Sequence, residues 1–306
     1  MSSFQLTTPV AFIIFNRPDT TERVFAEIAK ARPKQLLVVG DGPRADRPGE
    51  DDRVSATRQI IERVDWDCEV LTNFSETNLG CKQRVSSGID WVFKQVEEAI
   101  ILEDDCLPSP SFFRFCQELL ERYRYDRRIG LISGDNFQFG NRRSNDSYYF
   151  SKYVHIWGWA TWRDRWSGSY DVSLEKWPLT LDEGWLADMF GDKSEARYWR
   201  GIFDKVYRGE IDTWDYQWVF ANWAEGWMSV TPSVNLISNI GFGGDATHTQ
   251  QGSIFADMNI EEVHFPLVHP QFMLRNTEAD FFTRQVMFSR PLWKRVASKI
   301  RNYLPK

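Results

Sequence analysis

The sequence predicts an α/β fold with a Rossmann-like, mostly parallel central sheet flanked by helices. Three observations carry this expectation. Short, continuous apolar runs rich in β-branched residues recur over residues 1–135, as strands covered on both faces require. Between them lie longer stretches whose apolar residues recur at helical spacing. The runs stop abruptly at polar or acidic residues, where an open α/β sheet presents its carboxyl edge.

Residues 10–15 read as the first strand, closed by Asn16-Arg17-Pro18. Asp19 and Glu22 have capping-box spacing, and Val24, Phe25 and Ile28 carry a helix onward. Residues 35–39 give a second strand, and the turn Gly40-Asp41-Gly42-Pro43 sets Asp41 at its carboxyl end, so that Arg17 and Asp41 flank one crevice. A helix over 54–64 and a strand over 68–71 lead to Asn78-Leu79-Gly80. The next helix shows Val85, Ile89, Val92, Phe93 and Val96 on one side. Arg84, near its start, is placed either to reach a phosphate or to sit in solvent. Residues 130–133 form a fifth strand.

The stretch 98–114, EAIILEDDCLPSPSFFR, is the most informative in the chain. Ala99-Ile100-Ile101-Leu102 reads as a buried parallel strand, and Glu103, Asp104 and Asp105 stand at its carboxyl end. Alternation along an extended chain would put Glu103 and Asp105 on one face and Asp104 on the other. Ser109-Pro110 then opens a helix whose buried stripe is Phe112, Phe115, Cys116, Leu119 and Tyr123. Carboxylates at such a sheet edge suit a hard divalent cation, which needs only one or two of them when a diphosphate and water supply the other oxygens. The same triplet, Glu50-Asp51-Asp52, occurs earlier without a preceding strand and reads as helix-start charge.

From Asn136 the periods become harder to follow. Eleven of the fourteen tryptophans fall between Trp157 and Trp227, a density that suits an aromatic core and also a pocket for a sugar acceptor. In Asp212-Thr213-Trp214-Asp215-Tyr216-Gln217-Trp218, Asp215 reads either as a general base among aromatics or as the cap of a helix over 216–224. His248 follows a glycine-rich loop and reads as a metal ligand or as a solvated side chain. Residues 241–246 match G-x-G-x-x-A, but no amphipathic helix follows to hold a pyrophosphate. Leu292, Trp293, Val296, Ile300 and Leu304 line one face of a basic stretch over 290–306, suited to peripheral contact with an anionic membrane or to docking on its own domain.

Composition narrows the class. With 42% hydrophobic and 26% charged residues, the 306-residue chain has the make-up of a globular protein, and a formal charge of −6 argues against a nucleic-acid binder. Cys68, Cys81, Cys106 and Cys116 show no CxxC spacing and read as reduced packing residues. The amino terminus lacks the basic region of a signal peptide, so a cytoplasmic location is expected. No G-x-S-x-G or HExxH occurs, which lowers hydrolase readings. One composite domain is expected, with an alternating half over 1–135, a tryptophan-rich half over 136–285 and the basic helix over 286–306.

The order Asn16-Arg17, Gly40-Asp41-Gly42, then Ile101-Leu102-Glu103-Asp104-Asp105 with Pro110-Ser111-Phe112-Phe113 resembles nucleotide-diphospho-sugar transferases of the GT-A fold, N-acetylglucosaminyltransferase I among them. Gly158-Trp159, Trp214-Asp215-Tyr216-Gln217-Trp218 and the loop through His248 follow in similar order. The resemblance implies an inverting glycosyltransferase using a UDP-sugar donor and a glycan or lipid-linked glycan acceptor, in bacterial surface polysaccharide synthesis. It also implies that the half over 1–135 binds the nucleotide-sugar and the half over 136–285 the acceptor. By it Asp105, with His248, would bind Mn2+ or Mg2+; Glu103 and Asp104 would contact the ribose or donor sugar; Arg17, beside Asn16, and Asp41 would hold the pyrimidine. Asp215 would take the acceptor's proton. Two other readings keep the carboxylates: a sugar-phosphate nucleotidyltransferase, and a carbohydrate- or nucleotide-sugar-binding module without turnover.

Overall fold

The computed structural model describes residues 4–180, 184–242 and 254–288. His248, most of the stretch 241–246 and the basic stretch 290–306 lie outside the described residues.

Strands and helices alternate through the first half: β1 (Val10–Ile14), α1 (Pro18–Ala31), β2 (Gln35–Gly40), α2 (Glu50–Ile61), β3 (Glu69–Phe74), α3 (Gly80–Gln95) and β4 (Glu98–Glu103). β1, β2 and β4 are almost continuously apolar because both of their faces are covered. Phe12, Ile14, Leu36, Val38, Ile100 and Leu102 pack with Val24, Phe25 and Ile28 of α1 and with Ile60 and Ile61 of α2. Ala11, Ile13, Leu37, Val39, Ala99 and Ile101 turn to the other face and meet Val85, Ile89, Val92 and Phe93 of α3. Each large side chain taken from water there contributes about 1.5–3 kcal/mol. A one-residue slip would exchange the two cores, so the register is fixed from both sides.

Two local expectations give way. α1 begins at Pro18, and no side chain caps its first turn, so the Asp19–Glu22 capping box does not form. Proline sets the helix entry one residue before Asp19, and Glu22 pairs with Arg63 instead. The helix expected over 54–64 starts at Glu50 and ends at Ile61, which leaves residues 62–68 to connect it to β3.

The chain continues through β5 (Cys106–Pro108), α4 (Pro110–Tyr123), β6 (Ile129–Ser133), β7 (Tyr148–Ser151), β8 (Trp159–Trp162) and α5 (Arg163–Trp166). After these come α6 (Trp185–Phe190), α7 (Lys193–Tyr207), α8 (Asp215–Ala224), β9 (Met228–Pro232), β10 (Ile237–Asn239) and α9 (Thr277–Thr283). An eight-stranded sheet has the order β3-β2-β1-β4-β8-β6-β9-β7. Its first four strands are parallel. β8 runs antiparallel to both β4 and β6, and β7 antiparallel to β9, so the sheet is parallel at one side and mixed at the other. β4 pairs with β8, so one sheet spans both halves of the chain.

The strand order reverses at β1. The chain winds outward through β2 and β3 and then returns to lay β4 on the opposite side of β1. Open α/β sheets take ligands beyond the carboxyl ends at such a reversal.

Most tryptophans of the second half are core. Trp159, Trp166, Trp214 and Trp218 extend the α3-side core, with Trp159 and Trp214 stacked at 5.7 Å. Trp177, Trp199 and Trp223 build a third core among α6, α7 and α8. Among the described residues, no helix is long and apolar enough to cross a membrane.

Candidate active site

A cavity of about 420 Å³ lies beyond the carboxyl ends of β2, β1 and β4. Arg17, Asp41, Arg84, Glu103, Asp104, Asp105 and Asp215 all line it, although they come from five separate stretches of sequence. Asn16 does not line it: its amide turns away and donates to Glu50 at 2.8 Å.

β4 ends at Glu103, so Asp104 and Asp105 occupy the turn before β5. Strand alternation therefore does not separate the three acids, and all of them reach the cavity. Asp104 is buried and accepts the N–H of Phe15 at 3.0 Å, which ties the end of β4 to the end of β1. Asp105 accepts from Arg17 at 2.8 Å, and the same guanidinium lies 3.9 Å from Asp104. Burial, and then the charge of neighbouring acids, holds the Glu103 and Asp104 carboxyls well above the usual carboxylate range. Arg17 offsets only part of that. Behind the acids, Asn239 of β10 is in register with Cys106 of β5, and the N–H of Ile240 donates to the Asp105 carbonyl at 2.8 Å. Gly241 comes next, where any Cβ would fall on the Asp105 carboxylate.

At the β2 end, Asp41 accepts the N–H groups of Gly42 and Leu79, each at 2.9 Å, that of Gly80 at 3.1 Å and the Asn78 amide at 3.0 Å. Burial raises its pKa while these N–H bonds oppose the rise. Gly42 permits this closure, since a Cβ there would lie 2.6 Å from the backbone of Thr77. Arg84 is buried, with its donors on the carbonyls of Gly40 at 3.1 Å and Asn73 at 2.5 Å, so it braces the ends of β2 and β3.

The earlier acidic triplet divides. Asp51 and Asp52 are exposed, whereas Glu50 is wholly enclosed although it sits close to the protein surface. It accepts from the Asn16 amide and from the backbone and guanidinium of Arg44, and Arg44 lines the cavity. The Arg44 guanidinium, ahead of the opposing effect of burial, brings the Glu50 carboxyl down to about 2.

At the opposite end, Asp215 is the first residue of α8, directly after the N-cap residue Trp214, whose own side chain makes no capping bond. It accepts the hydroxyl of Thr213. Asp212 also lines the cavity and accepts the N–H groups of Cys81 at 3.2 Å and Lys82 at 3.1 Å, at the start of α3. Burial, reinforced by Glu103, Asp215 and Asp212, raises the pKa of the Cys81 thiol far above its usual value, so it stays protonated and unreactive. Of the tryptophans, Trp157 and Trp214 line this cavity. The N–H of Trp157 is fixed by Asp135 at 2.9 Å.

Sequence reasoning assigned no role to Asp212, Arg44, Trp157 or Asn239. Asp212 carried some signal as one of two acids among aromatics; Arg44 is held by Glu50 six residues on, and Trp157 and Asn239 reach the cavity through long-range contacts that local pattern does not encode. Among the described residues no three carboxylate, imidazole or thiol groups form a ready-made metal cage. The donor set nonetheless suits a hard cation that arrives with its ligand. Three neighbouring carboxylates face one nearby guanidinium, and phosphate oxygens and water would complete the coordination.

A scan against protein-family models finds no match, and a comparison with curated proteins finds none either. Among solved structures, a mannosyltransferase from Pyrobaculum calidifontis, in complex with GDP-Man and Mn2+, is 15% identical, covering 72% of this chain and 70% of that one at a TM-score of 0.40. A 4-diphosphocytidyl-2C-methyl-D-erythritol synthase from Anaerococcus prevotii is 12% identical, covering 61% of this chain and 85% of its own at 0.32. An inositol-1-phosphate CTP transferase from T. maritima is 10% identical, covering 55% and 77% at 0.31. At these values the likenesses decide nothing about function, which is read below from the geometry of the site.

Proposed function

We propose that this chain is an inverting, divalent-metal-dependent glycosyltransferase that moves a sugar from a UDP-sugar onto a hydroxyl of a glycan or lipid-linked glycan, in bacterial surface polysaccharide synthesis. One observation carries the reading: at the β1/β4 reversal, the three acids at 103–105 and Arg17 share a cavity with Asp215, delivered from the second half of the chain.

Strand order supports the following layout for the donor. The base enters at the β2 end, near Phe15, Arg44 and Asn78, where Asp41 shapes the wall through its four N–H contacts. The diphosphate lies at β1 and β4. Asp105 would hold Mn2+ or Mg2+ there, and the bound ion would supply charge stabilisation to the departing diphosphate. Arg17, already against Asp105, adds a second positive charge and turns its fork to the phosphates. Glu103 and Asp104 face the ribose and the donor sugar.

Asp215 accepts the proton of the acceptor hydroxyl as that oxygen attacks the anomeric carbon from the side opposite the diphosphate. A carbon–oxygen bond forms, the bond to the β-phosphate oxygen breaks, and UDP departs with the electron pair. Configuration therefore inverts. Thr213 positions the Asp215 carboxylate through its hydroxyl. A nucleotidyltransferase reading is less well served, because only Phe15, Asn16 and Arg17 separate β1 from α1 and offer no glycine-rich cradle for a triphosphate.

Asp215→Asn tests the assignment in a transfer assay over a panel of UDP-sugars. The expected result is a fall in kcat of about 100-fold or more with UDP affinity unchanged. Full transfer by the variant would place the base elsewhere.

A further inference from the structure

A second cavity, of about 650 Å³, lies between the β6–β7 connection, the approach to β10 and residues 254–261. Asn141, Asn235, Asn259, Asp257 and Glu261 contribute to a polar lining, and Phe139 stands beside them with 42% of its surface exposed. Two non-glycine residues here lie in the left-handed region, which strains a bulky ring and is tolerated by aspartate. Phe139 has a φ of 49° and Asp257 one of 48°, two of the four non-glycine residues in the left-handed region among the described residues. A bulky aromatic held exposed in such a conformation marks a surface shaped for contact.

The two cavities adjoin. The Asp257 N–H donates at 3.3 Å to the carbonyl of Asn239, which lines the first cavity. A row of rings also crosses between them: Trp157 to Phe137 at 5.2 Å, Phe137 to Phe255 at 5.4 Å and Phe255 to Phe139 at 5.9 Å. The row starts on the wall of the first cavity and ends at the second. At about 420 Å³ the first cavity has the size of a site for one small ligand, so a nucleotide-sugar donor leaves space for little more than the reacting end of an acceptor.

We propose that the second cavity holds the non-reacting sugars of an oligosaccharide acceptor whose reacting end lies at Asp215 beside Trp157. The inference rests on the transfer reaction proposed above and adds the substrate class: a chain of several sugars, not a free monosaccharide. Side-chain amides and carboxylates pair with vicinal hydroxyls, which both donate and accept, while the Phe139 ring covers an apolar sugar face.

Retention of the full chain on a printed array of mono- to hexasaccharides, without donor, tests this. Phe139→Gly is the informative variant because glycine relieves the left-handed strain while removing the ring, and Mn2+-dependent UDP binding reports whether the variant is folded. Wild type is expected to retain glycans of three or more sugars over shorter ones. Phe139→Gly is expected to lower that retention at least tenfold, with Mn2+-dependent UDP binding unchanged. No oligosaccharide retained by wild type, or equal retention by the variant, overturns the inference. If UDP-sugar transfer proceeds equally well in wild type and Phe139→Gly, the cavity assignment alone fails. Phe139-dependent glycan retention in a chain that neither binds UDP nor transfers sugar would instead remove the transferase reading.

Discussion

Asp41 and Asp212 reach the amino end of α3 from opposite halves of the chain, Asp41 accepting the N–H groups of Leu79 and Gly80 and Asp212 those of Cys81 and Lys82. A helix start leaves such donors without partners of its own. Here two acids of one cavity satisfy them, and the loop that ends at Asp215 is thereby anchored to the first half of the chain.

Asp212→Ala removes one of the two anchors. A loss of about 1 kcal/mol in denaturant unfolding is expected, the usual cost of a lost cap. Because Asp215 lies three residues further on, kcat for sugar transfer should fall more than UDP affinity does. A loss of stability with kcat and UDP affinity both unchanged would show that the contact serves stability alone.

Gly241→Ala places a methyl group where the Asp105 carboxylate now lies, without altering any charge. Asp105 must move. Thermal stability should fall modestly, on the order of 1–3 kcal/mol for an overpacked contact, while the enhancement of UDP binding by Mn2+ should drop at least tenfold. Unaltered metal dependence in a correctly folded variant would show that Asp105 is not the ligand.

His155 supplies a pH signature unrelated to the chemistry. It is buried, its ring 4.7 Å from Phe137, and burial depresses its pKa to about 3 in the folded chain. The unfolded chain binds that proton near pH 6.5. Its contribution to stability is therefore complete above that pH and is lost as pH falls from about 6.5 toward 3, by up to about 1.4 kcal/mol per pH unit. Other buried acids titrate over the same range, so the readout is a difference: His155→Gln should lose less stability than wild type between pH 6.5 and 5 in urea titrations. Parallel pH profiles would show that the imidazole is not held neutral.

The acids at 103–105 are legible in sequence because a strand buried on both faces must be apolar throughout, and its end is marked by sudden charge. Asp41 is legible at the end of β2 for a similar reason, through the glycine turn. The partners of these groups are not legible. Glu50 and Glu103 open identical triplets, yet Glu50 is enclosed by Asn16 and Arg44 and Glu103 faces the cavity. Those arrangements depend on which loops meet in space. Tryptophan density is ambiguous in the same way: Trp157 faces the cavity, whereas Trp159, two residues on, is wholly buried as part of β8. Trp157 precedes β8, and the chain turns at Gly158, whose φ is 87°, so a local turn separates neighbours that composition treats alike.

Calorimetric titration of UDP into the wild-type chain and into Asp105→Asn, each with and without Mn2+, tests the central proposal most directly. Mn2+ should tighten UDP binding at least tenfold in wild type and leave the Asp105→Asn affinity unchanged. Equal UDP affinity in wild type with and without the ion would contradict it.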